Sequence, residues 1–236
     1  MIAWRNLLHS FYLLRLVGAS VSTTSKRSDG AARGWSVVMN TNPNIKSSPR
    51  KAETNQDEVW SYLANLSPNV VEFGASSLPS GDILAFGGFS YSLNSASNAT
   101  MRYSAASDSW NELGPMPGAR QGSYGIFVES LGSGQGVVMA VGGCTGSDPT
   151  TGALYVSARV DAFDVATETW YPEGYLPDLP VALMGASGAT LPDGRVVVTG
   201  GFGYYEGSLA YFYSNRTFVL DPSEAAGLSW DETPVS

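Results

Sequence analysis

The chain contains almost no histidine or cysteine, and this scarcity excludes several kinds of catalytic site. Its 236 residues include one histidine, His9, and one cysteine, Cys144. Ser-His-Asp and Cys-His catalysis both need a histidine, and the usual zinc and copper sites need histidine or cysteine ligands. We therefore expect no metal site and no other cofactor after His9. A single cysteine also excludes an intrachain disulfide, and we expect Cys144 to be a structural residue.

Charged residues are also few, at 14%, and they are unevenly distributed. Residues 1–51 carry eight basic side chains and one acidic one, so their net charge is +7. Residues 52–236 carry five arginines, no lysine and twenty acidic residues, so their net charge is −15. Such a field repels nucleic acid and anionic membranes, and we expect no nucleic-acid partner. No apolar run approaches the roughly 18 residues that a membrane-spanning helix needs.

The sequence does contain an internal repeat. Trp110, Trp170 and Trp230 lie sixty residues apart, and Trp60 precedes them by fifty. A double glycine keeps step with the tryptophans, at Gly87-Gly88, Gly142-Gly143 and Gly200-Gly201. A period of this length indicates a repeat architecture.

Each repeat carries signals for four short antiparallel strands. Leu78-Pro79-Ser80-Gly81 and Leu191-Pro192-Asp193-Gly194 predict hairpin turns, because proline presets φ and glycine supplies a positive φ. The apolar run after each turn predicts a strand buried on both faces, which the glycine pair ends. A variable polar loop, a third strand and the tryptophan strand follow. Four strands per repeat describe a propeller blade, and the predicted blades are 61–110, 111–170 and 171–230.

The order of these features resembles the kelch repeat. Gly-Gly is followed by a Tyr/Phe-Asp strand and then by a tryptophan six or seven positions later. Phe163-Asp164 and Trp170 match this order best, whereas Tyr103-Ser104 before Trp110 lacks the usual aspartate.

The string at 191–201 is similar to the kelch-type propellers of the galactose-oxidase superfamily. The resemblance covers roughly residues 57–236 and implies an all-β kelch-type β-propeller, or a fragment of one. The copper oxidases of that superfamily need histidine ligands that these residues lack. The resemblance therefore implies no oxidase activity.

Three whole blades fit between Trp60 and Trp230, whereas propellers usually close with about four to eight. We expect the first and last blades to have an uncovered face. The alternatives are a truncated chain, a homo-oligomer that completes the ring, and further sequence beyond Ser236.

Residues 1–35 lie outside the repeat, and the polar residues 36–56 predict a linker. Arg5 ahead of the apolar stretch 11–17 suits a secretory signal, while the basic, serine-rich and acid-poor composition suits an organelle transit peptide. A disordered tail or a gene-model artefact is the third alternative. Three Asn-x-Ser/Thr sequons favour the secretory route and are glycosylation candidates: Asn65, Asn98 and Asn215.

These observations favour a non-catalytic binding or scaffold module that recognises a protein or peptide through its propeller loops. The binding candidates are Tyr91, Tyr204 and Tyr205, because exposed tyrosines suit peptide or carbohydrate contact. Arg120 is a fourth candidate; the resemblance places it either at the channel mouth or in an inter-blade hydrogen bond. A secreted carbohydrate-binding kelch protein and a kelch-superfamily enzyme without the copper ligands are the alternatives. We expect residues 161–164 to be strand and turn residues and not a pair of catalytic carboxylates.

Overall fold

The computed structural model describes residues 63–204, 210–224 and 227–233. They form three four-stranded antiparallel sheets, and each sheet has a two-stranded hairpin of its own. In this part of the chain no helix is long and apolar enough to cross a membrane. The leader and linker at residues 1–56 lie outside the described residues, so the predicted domain boundaries stay predictions.

The first sheet lies within residues 74–113. Its elements are β1 (Gly74–Ser77), β2 (Ile83–Phe86), β3 (Phe89–Ser90), β4 (Ser95–Ala96), β5 (Thr100–Ser104) and β6 (Ser109–Leu113). The sheet order is β1-β2-β5-β6, and β3 pairs with β4 as a separate hairpin. The predicted Leu-Pro-x-Gly turn joins β1 to β2, where the Gly81 N–H donates to the Leu78 carbonyl at 2.9 Å.

The second sheet repeats this arrangement within residues 124–170. Its elements are β7 (Tyr124–Val128), β8 (Val137–Val141), β9 (Cys144–Ser147), β10 (Leu154–Val156), β11 (Val160–Asp164) and β12 (Thr169–Trp170). The sheet order is β12-β11-β8-β7, with β9 and β10 as the hairpin. Residues 114–123 connect it to the first sheet.

The third sheet lies within residues 187–233. Its elements are β13 (Ser187–Thr190), β14 (Val196–Thr199), β15 (Phe202–Tyr204), β16 (Tyr211–Tyr213), β17 (Thr217–Leu220) and β18 (Trp230–Thr233). The sheet order is β13-β14-β17-β18, with β15 and β16 as the hairpin. The last strand of each sheet therefore carries one of the repeat tryptophans, Trp110, Trp170 or Trp230.

Two apolar cores fill the spaces between the three sheets, and strand β8 contributes to both. Val138 and Ala140 pack toward the first sheet, while Val137, Met139 and Val141 pack toward the third. These five side chains are at most 2% exposed. The predicted burial of this strand on both faces is confirmed, because alternate residues of a strand point to opposite faces.

The predicted burial on both faces is wrong for strand β14. Val196 and Val198 are buried against the second sheet, but Val197 is only partly buried and Thr199 is exposed. Val197 and Thr199 lie on the face that no other described sheet covers. The homo-oligomer that such a face could join stays a prediction.

The first sheet also differs from expectation. Ala85 and Met101, on its outward face, are only 2% and 7% exposed. Leu66 and Phe73 line the narrow gap over these two side chains, so the segment before β1 covers a face that the sequence predicted to be open.

These three tryptophans each donate a hydrogen bond from the indole N–H to an earlier part of the chain. Trp110 donates to the Ala64 carbonyl at 3.0 Å, and Trp230 donates to the Pro177 carbonyl at 2.9 Å. Trp170 donates to Thr100 Oγ1 of the first sheet at 2.9 Å, and its ring packs edge-on against Phe86 of that sheet. The sixty-residue period thus marks a repeated contact.

Small residues allow the inner strands β1, β7 and β13 to approach one another closely. A Cβ on Gly125 of β7 would lie 2.4 Å from the Ala75 carbonyl oxygen of β1. That contact involves backbone atoms, so it cannot be relieved by a side-chain rotation.

We predict that Gly125→Ala lowers the free energy of unfolding by about 1–3 kcal/mol, the usual range for overpacking. Gly114→Ala is the matched control, because nothing lies within 4 Å of its Cβ position, and it should change stability by less than about 0.5 kcal/mol. Urea unfolding followed by tryptophan fluorescence measures both. Equal stabilities for the two variants would contradict close packing of β1 and β7.

Candidate functional site

The segment after each double glycine forms a hairpin, where the sequence predicted a variable loop. A two-residue bridge attaches each hairpin to the segment that precedes its sheet, and each bridge has two backbone hydrogen bonds of 2.7–3.0 Å. The bridged pairs are Val71 with Phe89, Gln121 with Cys144, and Met184 with Phe202. Hairpin strand β4 touches β9, and β10 touches β15. The three hairpins therefore lie side by side at one end of the blades, here called the hairpin end.

The glycine pairs make these bridges possible. A Cβ on Gly142 would lie 2.2 Å from the Leu183 carbonyl oxygen, and one on Gly143 would lie 2.4 Å from Ser123 Oγ. Both glycines also have a positive φ, 60° and 109°. Close backbone approach and a positive φ therefore both require glycine here.

Backbone hydrogen bonds also join the three segments that precede the sheets. The Gly122 N–H donates to the Glu72 carbonyl at 2.7 Å, and the Gly185 N–H donates to the Gly122 carbonyl at 3.0 Å. These three residues occupy equivalent positions, two residues before β1, β7 and β13, and all have positive φ, 55° at Glu72 and 65° at the two glycines. Glu72 is thus a side-chain-bearing residue in a conformation that favours glycine.

Glu72 has a second unusual feature. Its Oε2 is buried, and no hydrogen-bond partner for it exists among the described residues. Buried polar atoms are normally satisfied, so such an atom calls for an explanation. The repeat itself could have drawn attention to Glu72, because the equivalent positions are both glycine.

Exposed tyrosines cluster on the hairpins. Tyr91, Tyr155, Tyr211 and Tyr213 are 69%, 52%, 57% and 78% exposed. Several of these rings are held by a neighbour. Tyr91 meets Phe89 edge-on with centroids 5.2 Å apart, and Tyr211 lies between Tyr204 and Tyr213 at 6.4 and 5.6 Å. Large, partly immobilised aromatic surfaces of this kind are typical of binding sites.

A cavity of about 490 Å³ opens beside Tyr91, between the β3–β4 hairpin and the segment before β1. We call it the Tyr91 pocket. It is lined by Leu66, Pro68, Asn69, Val70, Val71, Phe73, Tyr91 and Ser92. Its volume falls in the range of ligand sites. The sequence singled out Tyr91 but missed the rest of the lining, because residues 66–73 precede the first recognisable strand.

The predicted site residues do not all lie at one place in the structure. Tyr91 lines the pocket, and Tyr204 lies on β15 of the third hairpin, partly buried. Tyr205 lies outside the described residues. Arg120 is 1% exposed and lies in the interior, apart from Tyr91 and Tyr204. Roles for these residues in binding stay predictions.

Arg120 lies in the connection that precedes the second sheet, and its side chain bonds to a carboxylate and a carbonyl of that sheet. Its NH2 group donates to Asp161 Oδ2 at 2.7 Å and approaches the Ala140 carbonyl at 3.5 Å. Asp161 Oδ1 accepts a second hydrogen bond, from Arg159 Nε at 2.9 Å, and Arg159 also pairs with the exposed Glu173 at 2.8 Å. Burial lowers the pKa of Arg120, and Asp161 opposes that shift.

The pairing of Arg120 belongs to a general pattern. All five arginines of residues 52–236 form an ion pair with a carboxylate of the same chain: Arg102, Arg120, Arg159, Arg195 and Arg216. These residues contain no lysine and no histidine. Every arginine of the blades is therefore paired with a carboxylate, whereas some carboxylates of the described residues have no cationic partner.

Cys144 lacks the environment of a reactive thiol. Its side chain is fully buried, and the S–H donates to the Gly146 carbonyl at 3.0 Å. Burial raises the pKa of this thiol, and the nearby Glu72 carboxylate raises it further. The thiolate is therefore disfavoured, which agrees with a structural role.

Asp164 is the last residue of β11, and its side chain holds the turn that follows. Its carboxylate accepts hydrogen bonds from the N–H and Oγ of Ser133, from the N–H groups of Ala166 and Thr167, and from the Tyr171 hydroxyl at 2.7 Å. Burial raises the pKa of Asp164, but the hydrogen bonds outweigh burial and hold the pKa well below 3.8. Such a carboxylate organises the turn after β11 and is a poor proton donor or acceptor near neutral pH.

Among residues 63–204, 210–224 and 227–233, no three His, Cys, Asp or Glu side chains converge as metal ligands would. The three sequon asparagines, Asn65, Asn98 and Asn215, are all exposed. Their glycosylation stays a prediction.

Comparisons with known proteins agree with the repeat. Residues 74–117 match the Kelch motif. A solved structure of YjhT, a kelch β-propeller, matches with a TM-score of 0.58 and 18% sequence identity over 77% of this chain and 57% of that one. No curated protein matches the chain by sequence. The motif match and the structural likeness confirm the all-β propeller fold predicted from the sequence, over a little more than half the length of the YjhT chain.

We predict that Asp161→Ala lowers the free energy of unfolding by about 3–5 kcal/mol, because it leaves the buried Arg120 charge uncompensated. Glu173→Ala is the matched control: it removes the 72%-exposed end of the same network and should cost less than about 1 kcal/mol. Urea unfolding at neutral pH distinguishes the two. A similar small cost for both variants would mean that the buried pair does not stabilise the fold.

The lowered pKa of Asp164 generates a separate, pH-dependent prediction. A depressed pKa contributes stability above the unfolded value of 3.8, and that stability is lost as the pH falls through the folded pKa. Asp164→Asn should therefore be less stable than the wild type at neutral pH and should lose less stability between about pH 5 and pH 2. Asp231→Asn, at an exposed site on β18, is the control. Parallel pH profiles for Asp164→Asn and the wild type would refute this assignment.

Proposed function

We propose that this chain, a partial kelch-type β-propeller, is a non-catalytic binding module that recognises a protein or peptide through its hairpin end. The observation that carries the proposal is the set of exposed tyrosines on three adjacent hairpins of a rigid scaffold. Tyr91, Tyr155, Tyr211 and Tyr213 all belong to this set. Aromatic anchors on a preformed surface give contact area at a low entropic cost.

The interior of the blades supports the same proposal. Three of the titratable groups there have structural partners: Asp161 binds two arginines, and Asp164 binds the turn that follows its own strand. Cys144 is buried, and burial raises the pKa of its thiol. These three side chains are thus engaged in holding the fold.

A carbohydrate ligand is the second candidate. Tyr211 and Tyr213 meet edge-on at 5.6 Å and are both more than half exposed, and exposed rings can stack on sugars as well as on side chains. An enzyme of the kelch superfamily is the third candidate, and it would have to work without histidine in residues 52–236.

Selection from a displayed peptide library and binding to a glycan array test the proposal together. We expect peptides to be enriched on the full chain, and we expect the selected peptides to bind a Tyr155→Ser, Tyr211→Ser, Tyr213→Ser variant at least about tenfold more weakly. Ser130→Ala is the control, because Ser130 lies in the exposed β7–β8 connection at the opposite end from the hairpins. Binding to glycans alone would favour the second candidate. Selected peptides that bind both the triple variant and a Tyr91→Ala variant as well as they bind the wild type would contradict recognition by the hairpin end.

A further inference from the structure

The Tyr91 pocket carries an inference about the kind of peptide that the hairpin end binds, and that inference rests on the function proposed above. The pocket is an open cavity of about 490 Å³ on the side of the first hairpin. Every residue that lines it is described, and none of them is charged.

The chemistry of the lining defines one part of the ligand. The lining is mostly apolar: it combines the aliphatic residues Leu66, Pro68, Val70 and Val71 with the rings of Phe73 and Tyr91, and only Asn69 and Ser92 are polar. Val71 is 40% exposed and Tyr91 is 69% exposed, so both present apolar surface to a ligand. Burial of an apolar group against this surface is favourable in proportion to the area removed from water. A branched aliphatic or aromatic side chain therefore matches the pocket.

The charges around the pocket define the other part. No lysine or histidine occurs in residues 52–236, and each arginine there is paired with a carboxylate. Asp148, in the turn of the neighbouring β9–β10 hairpin, accepts hydrogen bonds from backbone N–H groups, the Thr151 side chain and a tyrosine hydroxyl, and none of these partners is a cation. A field of this sign attracts cations and repels acidic ligands.

We propose that the Tyr91 pocket binds one aromatic or branched aliphatic side chain of a peptide whose neighbouring residues are lysine or arginine. The apolar side chain enters the cavity beside Tyr91. The flanking cations lie over the acidic surface, to which Asp148 of the neighbouring hairpin contributes a carboxylate without a cationic partner among the described residues. The preferred partner is therefore a basic segment with a hydrophobic anchor.

Fluorescence anisotropy with three short labelled peptides tests this proposal on the full chain. The first peptide has one phenylalanine flanked on both sides by lysines, the second has alanine in place of the phenylalanine, and the third has glutamates in place of the lysines. We expect the first peptide to bind at least about tenfold more tightly than either of the others. Its affinity should fall as salt is raised, because the flanking charges are screened.

Two variants place the binding at the pocket. Tyr91→Ala removes one ring of the lining and Ser92→Trp fills the cavity, and each should weaken the phenylalanine peptide about tenfold. Leu93→Ala is the matched control, because Leu93 is 76% exposed on the same hairpin and does not line the pocket. Circular dichroism spectra that match the wild type show that the variants are folded.

The outcomes separate this proposal from the function on which it rests. Tight binding of the glutamate peptide, or equal binding by Tyr91→Ala, Ser92→Trp and Leu93→Ala, overturns the pocket proposal. If library-selected peptides at the same time fail to bind the Tyr155→Ser, Tyr211→Ser, Tyr213→Ser variant, the binding-module proposal stands and the ligand binds on the other hairpins. If no peptide binds in either experiment, both proposals fail.

Discussion

The structure depends on strands that are buried on both faces at once. Strand β8 shows the constraint most clearly, because its alternate side chains belong to two different cores, one on each side of the second sheet. A sheet with two apolar faces is stable in water only when it is covered by neighbours on both sides. The tryptophan hydrogen bonds and the close approach of the inner strands at Gly125 fix how those neighbours sit.

This constraint determines where a ligand can be recognised. The apolar side chains of the second sheet are used in the two cores, and its buried Asp161 neutralises Arg120 of the connection that precedes the sheet. The hairpins stand apart from these cores. They are held to the blades by short backbone bridges, so their side chains are available for other contacts while their backbones are anchored. Exposed tyrosines are found there, together with Asp148, whose carboxylate has no cationic partner among the described residues.

Much of the fold could be predicted from the sequence because the repeat consists of residues with strong preferences for particular backbone conformations. The Leu-Pro-x-Gly turns of the first and third repeats, the apolar strands and the double glycines each favour a particular backbone conformation, and the strands and glycines recur with the tryptophans in all three repeats. The hairpins could not be predicted, because segments such as 89–96 are polar and gain their pairing from bridges to residues distant in sequence. The burial of Arg120 was only one of two alternatives, since it depends on Asp161, forty-one residues away.

The site was predictable only in part, for the same reason. Tyr91 was singled out as an aromatic residue in a loop, but its pocket is formed with residues 66–73, which carry no recognisable strand signal. Glu72 stands out only when the three segments are superposed. The equivalent residues, Gly122 and Gly185, are glycines, for which a positive φ is ordinary. Properties that arise between segments are visible only in three dimensions.

Amide hydrogen exchange on the full chain, with and without the lysine-flanked phenylalanine peptide, tests the central claim most directly. The claim is that recognition takes place at the hairpin end while the blades serve as a rigid support. The account predicts slower exchange on peptide binding in residues 66–73 and 89–96, and unchanged exchange in the turns at the opposite end, such as 78–82 and 191–195. Protection confined to those turns, or spread evenly over the inner strands, would contradict it.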